Sequence, residues 1–439
     1  MCPQQSMNTM KENPMKKSQF KAFVESKSFE ETLVRLYGKD AIKHQKDRYL
    51  QIYSRFCDHF PRAENFEIFS SSGRIEVGGN HTDHQLGRVL AMAVDLDTVA
   101  FTVKNEDKII RFVSKNYKIE PIELSNLNVH DEEIYTTMGL IRGIAYYFKE
   151  IYGIVGGFDA YVESDVLSGS GLSSSASVEV LIAKILESYY GNGKLDPSIM
   201  AIIAQMAENN YFNKPCGLMD QMVIAHGGFC AIDFYDKNNP VVTKLDSQSM
   251  FDHMDLCLVQ TGGSHADLSA DYAEIFTDCK MISHHFKQEV LSRVDEEKFN
   301  ASLKVLYKKY DSRAILRAHH FFQENQRVLD LMEALKQSDL EHFLTLIVDS
   351  GNSSKSYLRN TWNKHVAQQG LAIALMMAED SLKDQGAWRV HGGGFAGTIL
   401  MFVPKEKTAS LKSSMEAVFG KNSFIKIRLR QDGVFEWSQ

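Results

Sequence analysis

The chain has 439 residues, 44 % hydrophobic and 24 % charged, an ordinary balance for a folded protein of two or three domains or closely joined lobes. Its net charge of −7 argues against a nucleic-acid surface, no apolar run approaches the ~20 residues of a membrane span, and the polar N-terminus has no apolar core of a secretory signal. Six scattered cysteines with no C-x-x-C argue against a disulfide framework and a zinc site, so reduced thiols in a cytoplasmic protein are the simplest account.

After the polar leader, residues 18–60 read as two amphipathic helices. Phe20, Phe23, Leu33, Leu36 and Tyr37 anchor the first, Tyr49, Leu50, Tyr53 and Phe56 the second, and Pro61 ends it. A helical entry segment packed on the body is expected. From Phe66 to Ser125 the pattern turns to strands, with six β-branched and aromatic runs: FEIFSS, GRIEVGG, RVLAMAV, LDTVAFTV, IIRFVS and YKIEPIEL. Within this region Gly73–His84 places Gly, Asn, His and Asp together. Such short polar side chains suit a sugar or polyol, and they equally suit a solvated turn.

A helix is expected near residues 131–152 and a strand over 158–164. That strand delivers the chain to Gly169-Ser170-Gly171-Leu172-Ser173-Ser174-Ser175, which feeds an apolar helical pattern ending near Tyr190. A Gly/Ser loop at a helix N-terminus presents unpaired N–H groups and the positive end of a dipole, as a phosphate site requires; the alternative is a Ser-rich cap on a core helix. It is not a Walker A loop, because no Gly-Lys-Ser/Thr follows. A helix over 197–212 carries Glu208. It leads to PCGLMDQ, where Asp220 opens the next helix as either an N-cap or a positioned base.

Strands are expected over 228–234 and 254–261, then a helix holding Asp271 and Tyr272 and a mainly helical region over 295–384. The adjacent His319 and His320 point to different faces and read as surface or core residues. The chain returns to strands around Trp388-Arg389-Val390, the triple-Gly turn Gly392-Gly393-Gly394, Thr398–Val403 and FIKIRLR. The turn permits close approach of backbone or phosphate, or marks a β-bulge.

Four motifs in order, GRIEVGGNHTDHQLGRVL, GSGLSSSASVEV, PCGLMDQ and HGGGFAGT, resemble those of the GHMP small-molecule kinases, above all the galactokinase branch, over about residues 66–403. The resemblance implies an α/β fold of two lobes with mixed sheets and helices, the active site lying in the cleft between them. The divisions expected are a helical segment over 1–60, an N-terminal lobe over 61–235 and a C-terminal lobe over 236–439. It implies an ATP- and Mg²⁺-dependent kinase for the C1 hydroxyl of galactose, with no nucleic-acid or membrane partner, acting as a monomer or weak dimer. Asp220 and Arg74 fall at the catalytic positions. Asn80, His81, Asp83, Gly217 and Tyr272 fall where the family grips its sugar. Gly169, Ser170, Gly171, Leu172, Ser173, Ser174, Ser175, Gly393 and Gly394 fall at the nucleotide phosphates, and Ser175 and Glu208 at the metal.

The departures lie in the sugar half. Galactokinases usually carry Glu where this chain has Asn80, Tyr at His84, Asn-Gly-Gly at Gln85-Leu86-Gly87, Asn at Glu76 and an aliphatic residue at Gly78. Galacturonate, N-acetylgalactosamine and arabinose are therefore the alternative substrates. A non-catalytic sugar sensor is the alternative from another class, and the complete Ser-Ser-Ser-Ala run speaks against it.

Overall fold

The computed structural model describes residues 14–437 except 116, 118, 154–155, 167–170, 192, 194, 215, 247, 263–267 and 396. Gly169 and Ser170 thus lie outside the described residues. In chain order the elements are β1 (Met15–Lys16), α1 (Phe20–Val24), α2 (Lys27–Tyr37), α3 (Ile42–His59), β2 (Asn65–Gly78), β3 (Arg88–Lys104), β4 (Ile109–Ser114), β5 (Ile122–Glu123), α4 (Thr137–Tyr152), β6 (Phe158–Ser164), α5 (Ser174–Tyr190), α6 (Pro197–Asn210), α7 (Met219–His226), β7 (Phe229–Asp233) and β8 (Val241–Leu245). There follow β9 (Met254–Gln260), α8 (Ser269–His285), α9 (Glu296–Ala301), α10 (Leu303–Lys309), α11 (Ser312–Gln337), α12 (Leu340–Ser353), α13 (Gly370–Leu382), β10 (Ala387–His391), β11 (Thr398–Pro404), α14 (Lys405–Phe419), β12 (Phe424–Ile427) and β13 (Phe435–Glu436). Among the described residues no helix is long and apolar enough to cross a membrane.

The fold class is α/β as expected, built on two mixed or antiparallel sheets. Four of the expected short strands are in fact two long ones. FEIFSS and GRIEVGG join as β2, and RVLAMAV and LDTVAFTV join as β3, with β2 and β3 antiparallel from Glu67/Thr102 to Gly78/Leu90. The Ser-Ser-Gly sequence that looked like a turn is a register shift between Ser72 and Gly73 within one continuous strand. Gly73 is required there because a Cβ would stand 3.0 Å from the carbonyl oxygen of Leu172. The irregularity in β2 therefore lies directly against the chain that enters α5.

The two halves of β3 pair with different strands, Arg88–Met92 with β7 and Thr98–Lys104 with β6. Along the second half the period of two is plain. Ile68, Val99, Phe101 and Tyr161 face the N-terminal helices, while Phe69, Ala100, Ala160 and Val162 face α4, α5 and α6. The N-terminal segment thus covers one face of this half of the sheet, with Phe20, Phe29, Tyr49, Phe56 and Trp437 filling the layer. It forms three helices rather than two, because the first expected helix breaks at Ser26, whose hydroxyl caps α2 through the Phe29 N–H. Past the register shift, Ile75, Val77, Leu90 and Met92 share a core with Leu256, Leu258, Leu400 and Phe402 of the second sheet, ordered β10-β11-β9-β12, and with α11 and α12.

A buried ionic knot fastens these layers. The Asp97 carboxylate on β3 is fully buried and accepts from Arg48 of α3 at 2.7 Å, Tyr37 of α2 at 2.6 Å, Arg430 of the C-terminal tail at 3.2 Å, and Ser70 of β2. Burial alone would push this carboxyl up, but the two guanidiniums hold it below the usual carboxylate range. Its stabilisation is therefore complete at neutral pH and is lost only as pH falls through that depressed value. Asp97→Ala takes the anion from buried Arg430 and leaves buried Arg48 only Asp165 at 3.1 Å, and a loss of about 3–5 kcal/mol of stability is expected. Urea denaturation of the purified chain measures it, and a midpoint equal to wild type would contradict the assignment.

Candidate active site

The site forms where the break in β2, the start of α5 and the start of α7 meet. Arg74 follows the register shift, its N–H donating to the carbonyl of Leu172 at 3.1 Å. Its guanidinium is nearly buried and makes a two-nitrogen contact with Asp220, Nε at 2.8 Å and Nη2 at 2.7 Å from Oδ1, while Nη1 donates to the carbonyl of Gly171. Ser173 donates its hydroxyl to Asp220 Oδ2. Arg74, Ser173 and Asp220, 146 positions apart at the extremes, are one hydrogen-bonded unit.

This settles the two readings of Asp220. It stands in the first turn of α7 behind Leu218, and its carboxylate goes to Arg74 and Ser173, so it is no helix cap. Ser173 does not cap α5 either. It adopts a left-handed conformation at the helix start, and its hydroxyl leaves the helix for Asp220. The N-cap side chain therefore makes no hydrogen bond to the first turn of α5.

Burial would raise the Asp220 pKa, yet Arg74 and Ser173 outweigh it and hold the carboxyl below the ordinary range. Asp83 behaves oppositely. Burial pushes it up, two backbone N–H donors offset part of this, and the charge of Asp220 adds to the rise. Asp83 sits in the short turn after β2, and a Cβ on Gly217 would meet its Oδ2 at 2.2 Å, so Gly217 is glycine because a carboxylate lies against its α-carbon. The histidines nearby are neutral at physiological pH, since burial takes His81 down to about 4 and His84 and His391 down to about 3.

His81 (φ 59°) stacks on Tyr272 with ring centres 6.4 Å apart and interplanar angle 25°, and its Nε2 lies 3.1 Å from the carbonyl of Gly393. Tyr272 donates its hydroxyl to Gly394 O at 3.0 Å, and a Cβ on Gly393 would strike its ring at 2.5 Å. Gly393 and Gly394, expected at the phosphates, are instead packed with Tyr272, His81 and Asn360 on the other side of the cleft. The contact of this turn with the phosphate loop runs through His391, whose Nε2 lies 3.0 Å from Gly171 O.

Asn80 is the other correction. Its amide donates to Glu76 Oε1 at 2.9 Å and Gly392 O at 2.8 Å, and its oxygen accepts from Asn360 at 2.9 Å and Ser354 at 3.3 Å. All of its hydrogen-bonding capacity is used inside the protein and it is 1 % exposed, so it presents nothing to a ligand.

Ser175 Oγ lies 3.3 Å from Glu208 Oε1, so the two expected metal-ligating oxygens are neighbours. Gln221 holds the other Glu208 oxygen at 2.9 Å and Glu179 Oε2 at 3.0 Å, and Glu179 Oε1, although buried, has no partner. Hard oxygen donors beside a phosphate loop suit Mg²⁺. Among the described residues no three His, Cys, Asp or Glu side chains converge as a metal group. Next to Ser174 and Ser175 opens a cavity of about 920 Å³ with Phe112, Met138, Val162, Val178 and Phe212 in its walls and Tyr117 and Tyr135 at its edge. The sequence reading missed it, because its lining comes from five separate elements and the loops between them, and its apolar residues look like ordinary core.

Residues 139–228 match the model of the GHMP kinase N-terminal domain, and residues 54–104 match the galactokinase galactose-binding signature. The chain thus carries a GHMP kinase N-terminal domain and the galactose-binding signature of galactokinases. The first match contains Ser173, Glu208 and Asp220, the second Arg74, His81 and Asp83. The fold is similar to that of Lactococcus lactis galactokinase complexed with galactose, at 23 % identity and TM-score 0.74 over 88 % of this chain and 98 % of that one. It is also similar to Methanococcus jannaschii mevalonate kinase, at 15 % identity and TM-score 0.60 over 82 % and 98 %. Streptococcus pneumoniae phosphomevalonate kinase is a third, at 12 % identity and TM-score 0.57 over 85 % and 99 %.

With Arg74 replaced by Met, only Ser173 and the more distant Lys214 are left to oppose burial, and the Asp220 pKa is expected to rise. Carbon-13 NMR titration of the aspartate carboxyls, with Asp220→Asn identifying the signal, measures the shift. An unmoved signal would show that Ser173 and Lys214 suffice.

Proposed function

We propose that this chain transfers the γ-phosphoryl group of ATP to the C1 hydroxyl of galactose, and that the Arg74–Asp220–Ser173 unit beside the phosphate loop carries the reaction. The galactose-binding signature over 54–104 supports the sugar half of the reading, and the GHMP domain over 139–228 supports the nucleotide half.

In this reading the base of ATP occupies the 920 Å³ cavity, whose size and apolar walls suit a purine, and its phosphates pass over Gly171 and Ser173–Ser175 at the start of α5. A Mg²⁺ ion at Ser175 and Glu208 would neutralise charge on the phosphate oxygens. The sugar lies between Asp83, His81, Tyr272 and Gly217, with its C1 hydroxyl toward Asp220. Neutral histidines and a carboxyl inclined to keep its proton can each donate or accept to sugar hydroxyls, as a polyol requires.

The depressed pKa of Asp220 bears on mechanism. A carboxylate this well stabilised is a weak base toward an alcohol, so it accepts a hydrogen bond from the C1 hydroxyl and fixes the line of attack first. As the new oxygen–phosphorus bond forms and the bond from phosphorus to the ADP oxygen breaks, the hydroxyl becomes acidic and its proton passes to Asp220. Arg74 balances the charge on the moving phosphoryl group. This order fits a loose transition state in which positioning and charge carry most of the catalysis.

ATP consumption with Mg²⁺ across galactose, galacturonate, N-acetylgalactosamine, arabinose and glucose tests the reading. Galactose is expected to turn over, and Asp220→Asn to lower kcat by about 10²–10⁴-fold. Turnover of galacturonate without galactose would overturn the substrate, and saturable sugar binding without turnover would overturn the enzyme reading.

A further inference from the structure

One cation of the site has no part in that scheme. Beyond α6 the chain folds back so that the Lys214 N–H donates to the carbonyl of Glu208 at 3.1 Å, and the Lys214 ammonium lies 2.8 Å from Glu208 Oε1. This is the oxygen shared with Ser175, while the opposite oxygen is taken by Gln221. The two members of the ion pair are unequal in freedom. The Glu208 side chain is 3 % exposed and fixed from both sides, whereas that of Lys214 is 54 % exposed and ends in solvent-facing space.

We propose that Lys214 occupies the divalent-ion position on Glu208 until the nucleotide arrives, and then gives up that oxygen to the metal and pairs with the phosphate chain. The argument rests on the reading of Ser175 and Glu208 as the metal site. A divalent ion there must use Oε1, the single Glu208 oxygen on the side of the phosphate loop. Two cations at one carboxylate oxygen repel strongly in a partly buried site. Glu208 cannot follow its partner, so Lys214 is the group that moves. Its four-carbon stem lets the ammonium pivot about an anchored backbone. The nearest new anions are the phosphates that ATP brings to Ser173–Ser175. Without metal the carboxylates Asp220 and Glu208 thus face Arg74 and Lys214, and the incoming anionic nucleotide supplies the counter-charge for the second cation when the metal enters.

Two properties of the purified full-length chain separate this role from a purely structural ion pair. Mn²⁺ serves as the probe ion, read from the electron paramagnetic resonance signal of the free ion, and an imido-bridged ATP analogue serves as the nucleotide, read by calorimetry. Without nucleotide, Lys214→Met is expected to bind Mn²⁺ about fivefold more tightly than wild type, since no resident cation has to leave. With Mn²⁺ saturating, the same variant is expected to bind the analogue more weakly, having lost a phosphate partner. Lys214→Arg keeps the charge and is expected to stay close to wild type in both assays. Unchanged or weaker Mn²⁺ binding by Lys214→Met, or unchanged analogue affinity, would overturn the proposal while leaving the kinase reading standing. Wild type and Glu208→Gln that bind Mn²⁺ equally in the presence of the analogue would instead remove the metal site on which it rests.

Discussion

A guanidinium that reaches a carboxylate and a loop carbonyl at once is the constraint on which this site depends. Arg74 ties β2 to the start of α7 through Asp220 and to the phosphate loop through Gly171. Burying an arginine is costly unless its charge and donors are met. Each partner meets part of that requirement only if its own element is in place. The register shift between Ser72 and Gly73 turns the strand so that Arg74 points this way, and the missing side chain at Gly73 lets the Leu172 carbonyl pack against it. A local irregularity of one strand therefore fixes the relative position of a phosphate loop, a carboxylate and a cation.

The electrostatic pattern follows from that geometry. The surroundings of two interacting carboxyls shift them in opposite directions, Asp220 down through Arg74 and Asp83 up through burial. Three buried histidines add hydrogen-bonding capacity without charge. Arg74 and Lys214 put positive charge beside Asp220 and Glu208, where the phosphoryl group is proposed to lie.

Much of this was legible in the sequence, for a physical reason. Residues that touch a ligand must be of a certain chemistry at a certain place in a turn, so Gly171, Ser173, Asp220 and Arg74 stand out in a linear text. Residues that act by filling space do not. The cavity walls Phe112, Met138 and Phe212 are ordinary apolar residues until the fold brings them together. The long strands β2 and β3 were cut in two because Ser-Ser-Gly reads as a turn, whereas the pairing of both flanks to the same partner keeps the strand continuous. The knot at Asp97 was illegible because its cations come from positions 48 and 430. Lys214 was passed over since a lysine after a helix is most often a solvated side chain.

Asn80 shows the limit of reading a site by motif position. It occupies the place of a ligand-contacting acid, yet its amide is consumed by Glu76, Gly392, Asn360 and Ser354. The acid and the amide have in effect changed places. Glu76 now supplies the carboxylate, and Arg389, fully buried on β10, answers it at 2.7 Å. Burial still pushes Glu76 up to about 7 despite that guanidinium, so its proton is shared closely with its surroundings near neutral pH. A buried polar network rigidifies what it joins, and this one joins β2, the Gly-rich turn and the end of α12. The two departures from the family pattern, at 76 and 80, therefore compensate each other. Together they form a brace that ties the turn after β2 to the Gly-rich turn and to Asn360, beside His81 and Tyr272, which are proposed to hold the sugar.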